Sequence, residues 1–133
     1  MTPFQLDIVT IYGNYYSEKV ESILVRTDDG DVEILAGHAD FLASVATGRA
    51  RIIKDGEPRL ASCSGGFISV TKSGVKLVTT TFEFADEIDL DRAKAAKDNA
   101  ERAIEHANSD REIALAKAKL QRALNRINIA ERR

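Results

Sequence analysis

The 133-residue chain carries 19 Lys and Arg against 21 Asp and Glu, a formal net charge of −2, and a mean hydropathy of −0.23. That length buries one modest core, the lone cysteine, Cys63, excludes an internal disulfide framework, and no stretch approaches the roughly 20 apolar residues needed to span a bilayer. The start Met1-Thr2-Pro3-Phe4-Gln5 lacks a charged segment leading into an apolar one, so the expectation is a soluble protein that stays where it is made, with Cys63 a buried structural thiol in a reducing compartment.

The first half reads as short strands separated by turns. Phe4 to Ile11 alternates imperfectly, Val20 to Arg26 follows, and the turn Asp28-Asp29-Gly30-Asp31 leads into Val32 to Leu35. Further strands are expected at Gly48 to Ile53, Arg59 to Ser64, Gly65 to Val70 and Gly74 to Thr79, with a turn at Lys54-Asp55-Gly56-Glu57. Turn signals at this spacing predict an antiparallel sandwich or barrel.

The second half is of another kind. Ile88 to Arg133 contain no Gly, Pro, Cys, Phe, Tyr or Trp, and they are rich in Ala, Lys, Arg, Glu and Leu, so they read as helix. Ala93, Ala96, Ala100, Ala103 and Ala107 recur at spacings of three and four. Asn108-Ser109-Asp110 interrupts, and Ile113, Ala116, Leu120, Ala123, Ile127 and Ala130 repeat likewise. Two helices closing as an antiparallel hairpin are predicted, and their alanine-rich seam buries little area, which makes the hairpin marginal alone. The fold class is therefore α+β, a mainly β N-terminal part over residues 1–85 and a helical hairpin over residues 86–133.

Charge divides along the same boundary. Met1 to Glu87 hold 8 basic and 13 acidic residues, while Ile88 to Arg133 hold 11 and 8; from Ile113 onward 6 basic residues face Glu131 alone. Such a basic helix suits an acidic partner or a phosphate, and the absence of interleaved aromatics disfavours nucleic acid. A membrane-docking helix is disfavoured too, because the seam is alanine rather than Trp, Phe and Leu.

At the start of the first helix stands Ile88-Asp89-Leu90-Asp91-Arg92-Ala93, in which Asp89 serves equally well as an ordinary N-cap. In the second helix Arg122 and Arg126 share one face at i and i+4, an arrangement that costs about 0.2–0.5 kcal/mol unless an anion offsets it. Closure of the hairpin brings them toward Arg92, giving three guanidiniums suited to phosphate oxygens. His38, His106 and Cys63 form no catalytic constellation, and no Gly-rich loop runs into Lys-Ser or Lys-Thr, so an independent enzyme is not expected. A stand-alone protein that senses a phosphate-bearing ligand is the alternative reading.

The chain resembles, along its full length, the epsilon subunit of the bacterial F-type ATP synthase. The segments carrying the resemblance are Asp28 to Asp31, Gly37-His38-Ala39-Asp40-Phe41-Leu42, Ser64 to Val70 and Ile88 to Ala93. The resemblance implies a ten-stranded β-sandwich followed by the hairpin, and a non-catalytic role in the central stalk that couples ion-driven rotation to ATP synthesis. It implies the gamma subunit, the c-ring and the alpha and beta subunits as partners, at the cytoplasmic face of the bacterial cell membrane, and a hairpin that hinders ATP hydrolysis when extended. It further implies ATP as a regulatory ligand needing no metal, at Glu83, Ile88, Asp89, Arg92, Ala93, Arg122 and Arg126, and subunit contacts at Asp31 and His38. This sequence departs from the family pattern at Asn99, where tight-binding relatives carry Arg, and at Glu33 and Ala36.

Overall fold

The computed structural model describes residues 2–132. Met1 and Arg133, the outermost residues of the two predicted parts, lie outside the described residues. The chain divides into two compact units, one ending at Phe84 and the other beginning at Ala85.

Among the described residues, nine strands make up the first unit: β1 (Phe4–Thr10), β2 (Gly13–Val20), β3 (Ser22–Thr27), β4 (Gly30–Leu35), β5 (Phe41–Lys54), β6 (Glu57–Ser64), β7 (Phe67–Thr71), β8 (Gly74–Val78) and β9 (Thr81–Phe84). They form two sheets that share β5. Its first residues, Phe41 to Ser44, pair with β7, whereas Gly48 to Lys54 pair with β6. One sheet runs β2-β1-β8-β7-β5 and the other β4-β3-β5-β6-β9, so the sandwich is as expected but is built, among the described residues, from nine strands rather than ten, β5 taking a place in each sheet. All pairings are antiparallel except β1 with β8.

Strand side chains alternate between faces, and the inward set is mostly apolar, with Ser22, Thr27, Ser62 and Ser64 buried among it. Leu6, Ile8, Ile23, Val25, Ile34, Ala50, Ile52, Ala61, Cys63, Ile68, Val70, Leu77, Phe82 and Phe84 form one buried core. Two strands and the first part of β5 escaped the sequence reading. In β2 only Val20 is buried, so no apolar period shows; β9 alternates, burying Phe82 and Phe84, but is four residues long; and the first part of β5 turns Leu42 outward.

Positive φ recurs at the turns, and two of them show what it provides. Asp55 (52°) and Gly56 (78°) make the tight link between β5 and β6, an Asp-Gly pair whose twist matches the flanking strands. Gly66 (99°) enters β7 so close to β8 that a Cβ there would run into the Val78 carbonyl.

The second unit begins with a single 3-10 turn, Ala85–Glu87, followed by α1 (Leu90–Glu105) and α2 (Asp110–Glu131). Both helices start on capped residues. The Asp89 carboxylate accepts from the Arg92 N–H at 3.1 Å, and the Ser109 hydroxyl accepts from the Glu112 N–H at 3.1 Å. Glu112 in turn accepts from the Asn108 N–H at 2.8 Å, a reciprocal arrangement that satisfies backbone donors before α2. The helices pack along each other, and α2 also meets the 3-10 turn that precedes α1, as an antiparallel hairpin requires. Ala93 and Ala100 of α1 and Ala116, Ala123 and Ala130 of α2 are buried. Ala96 and Ala107 are half-buried, but Ala103, expected in the seam, is exposed.

Candidate functional site

Six of the seven expected nucleotide-site residues belong to the helical unit. Glu83 is the exception, half-buried in β9 opposite Ser62. Ile88 is 4% exposed and Ala93 fully buried, so the start of α1 is anchored on both sides of the Asp89 cap. Asp89 itself and Arg92 are exposed; Arg122 and Arg126 are half-buried.

Helix geometry decides which of these share a side of the hairpin. A residue preceding a seam position lies about 100° around the axis from it. In an antiparallel pair the second helix is both reversed and turned to face the first, and the two operations cancel. Residues that precede a seam alanine on either helix therefore come to the same side. Arg92 precedes Ala93, Asn99 precedes Ala100 and Arg122 precedes Ala123, each of these alanines being buried, and Arg126 lies one turn beyond Arg122. One flank of the hairpin thus carries Arg92, Arg122 and Arg126 together with Asn99. The Asn99 side-chain oxygen accepts a 2.5 Å hydrogen bond from the Arg102 guanidinium, a contact between neighbours three residues apart that sequence reasoning missed.

Asp31 and His38 occupy the sheet unit. Arg26 donates to the Asp31 carboxylate at 3.0 Å and Arg49 approaches its other oxygen at 3.5 Å. The Arg26 hydrogen bond, foremost, holds that carboxyl below its ordinary value. His38 is exposed in the loop between β4 and β5. Its Nδ1–H donates to the Ala39 carbonyl at 2.7 Å and its ring meets Phe41 edge-on at 5.7 Å. Glu33 pairs with Arg51 at 2.8 Å, and Ala36 is exposed.

An apolar outer surface on the sheet unit also went unread. Register places Phe67, Val78 and Val9 in one row across β7, β8 and β1. Leu42 stands diagonal to Phe67, and Ile11 and Tyr12 are 69% and 89% exposed at the β1–β2 turn. The signal available was the pair Ile11-Tyr12 directly before Gly13. Cys63 is buried, and burial pushes its thiol up to about 12. Among the described residues no group of three or more His, Cys, Asp or Glu could hold a metal, and no helix is long and apolar enough to cross a membrane.

Comparison with known proteins follows the same division. Residues 3–85 match the family model for the ATP synthase delta/epsilon chain β-sandwich domain, and residues 86–131 match its long α-helix domain. The chain belongs to the ATP synthase delta/epsilon family. Its relatives in that family include the ATP synthase epsilon chains of Bacillus pumilus and Bacillus velezensis, each 38% identical over 130 residues and 98% of both chains. The delta/epsilon fold is also seen in a chain from the Euglena gracilis mitochondrial ATP synthase, solved as OSCP/F1/c-ring, with a TM-score of 0.76 at 24% identity, covering 91% of this chain and 77% of that one.

Proposed function

We propose that the chain works as a non-catalytic epsilon subunit in the central stalk of an F-type ATP synthase, on the cytoplasmic face of a bacterial cell membrane as a peripheral component. The observation that carries this is the family match over both units, with epsilon-chain relatives aligned across 98% of their length. The sheet unit docks on the gamma subunit and the c-ring and so couples ion-driven rotation to ATP synthesis. Its exposed apolar row, with Leu42, Phe67 and Tyr12, gives a partner surface larger than scattered single residues would. Asp31 and His38 contribute to those contacts. Cys63, buried and protonated, is no nucleophile.

The hairpin acts as the regulatory part. Extended, it engages the alpha and beta subunits through the basic α2 and hinders ATP hydrolysis; compact, it binds ATP. Arg92, Arg122 and Arg126 on one flank supply guanidinium donors for phosphate oxygens without a metal ion. Within the helical unit, Asp89 and nearby backbone attend to the adenine end. ATP bound only to the compact state shifts the balance toward it by mass action.

Co-expression with a gamma subunit tests the stalk assignment: a stable complex is expected, whereas a persistent monomer that binds ATP tightly favours a free-standing sensor. Calorimetric titration with ATP, with and without Mg²⁺, tests the ligand. Saturable, metal-independent binding that Arg122→Ala weakens is expected; no heat at millimolar ATP removes ATP from the reading.

A further inference from the structure

We infer that Asn99 is a positioning residue that holds Arg102 toward the arginine flank, making Arg102 a fourth phosphate-binding guanidinium. The inference rests on the ATP reading above and deepens it.

The two residues come from different sides of α1. Counted from Ala100, Asn99 lies about 100° away on the flank shared with Arg92, while Arg102 lies about 160° to 200° away, on the side of α1 remote from α2. Left alone, an exposed arginine there samples many rotamers directed at solvent. The 2.5 Å hydrogen bond to the Asn99 side-chain amide oxygen ties its guanidinium to a residue of the flank. It also draws the group one turn toward the N-terminus, since side chains of a helix lean that way.

The direction along the hairpin matters as well. All four of Ala93, Ala123, Ala100 and Ala116 are buried; by their distance along the chain from the connecting turn, Ala93 and Ala123 lie toward the open end and Ala100 and Ala116 toward that turn. Asn99 therefore stands beyond Arg122 on the side of that turn, and the captured guanidinium extends the line Arg126, Arg122 with one more fork of donors. A single arginine uses only part of its five donors on an amide oxygen, so the others remain for an anion. A chain of phosphates is the ligand whose charge spreads along such a line. Arg102 thus contributes more to a triphosphate than to a monophosphate, which distinguishes its role from that of a cation at a helix C-terminus.

The test uses the full-length protein and reads ATP and AMP affinities by calorimetry, with far-UV circular dichroism of each variant as the check on folding. Arg102→Ala is expected to weaken ATP about tenfold and AMP hardly at all, reducing the ATP to AMP preference. Asn99→Ala is expected to weaken ATP in part and to add nothing on top of Arg102→Ala, the non-additivity that a positioning role requires. Should Arg102→Ala leave ATP affinity unchanged while Arg122→Ala lowers it, the inference falls and the ATP reading stands. Equal losses for ATP and AMP, or additive losses for the double variant, also overturn it. Absence of ATP binding by the unaltered protein overturns both.

Discussion

The guanidinium of Arg59 lies 3.6 Å from the centroid of the Phe84 ring, capping the last residue of the sheet unit. Beneath that cation Phe84 meets Phe82 edge-on at 5.2 Å and Tyr16 at 5.8 Å. The end of β9 is thus held by packing. Phe84→Ala should cost about 3–5 kcal/mol in urea denaturation, and Arg59→Ala, whose cation is exposed, about 0.5–1 kcal/mol. Equal effects would mean that the stacked cation, rather than ring burial, dominates.

Gly66 and Gly56 both have positive φ, but they differ in space. A Cβ at Gly56 meets nothing within 4 Å, whereas at Gly66 it strikes backbone of Val78 and Thr79. Gly56→Ala should therefore lower stability by about 1 kcal/mol through backbone conformation alone. Gly66→Ala should cost well over that and separate β7 from β8. Comparable melting temperatures for the two variants would contradict the clash.

Acid should weaken the sheet unit partly through Asp31. Its folded carboxyl titrates below the ordinary 3.8, chiefly because Arg26 donates to it. The unfolded state then binds the proton more readily, so the stabilisation is present above that ordinary value and is lost as pH falls through the folded one. With Asp31 partly exposed, the effect should be about 1 kcal/mol or less. Denaturation midpoints of Asp31→Asn should change less between pH 6 and pH 3 than those of the unaltered protein.

Cys63 gives the opposite sign at high pH. Burial raises its thiol from 9.0 to about 12. Folding therefore opposes ionisation, and stability should decline as pH rises from the lower value toward the upper one. Below pH 9 a thiol-specific reagent should label the protein only in denaturant; rapid labelling of the folded state would show that the site opens.

Ser109→Ala removes the cap of α2 and leaves the Glu112 N–H without its partner. A loss of about 1 kcal/mol is expected, visible as faster hydrogen exchange in the first turn of α2 and not in α1.

Legibility in the sequence followed how locally each feature is determined. The helices were evident because Gly, Pro and aromatics vanish after Glu87, and Asp89 caps α1 as its position before Leu90 suggests. Strands bounded by turn residues were evident too, as with β6 after Asp55-Gly56. β2 was not, because seven of its eight residues face solvent or lie half-covered and show no apolar period. The dual membership of β5 depends on partners far along the chain. Of the candidate site, the arginines on α2 could be read from their spacing. The Asn99–Arg102 contact could not, since a helix offers each arginine several neighbours three or four residues away and only coordinates tell which is used.

β5 has a mechanical consequence. Its fourteen residues are stitched into one sheet at their start and into the other at their end. Sliding one leaf of the sandwich over the other would tear main-chain hydrogen bonds from a single continuous strand, whereas two leaves joined only by loops could slip. The unit therefore resists shear as one piece, and a twisting load taken up at one face is delivered to the opposite face with little lost in between.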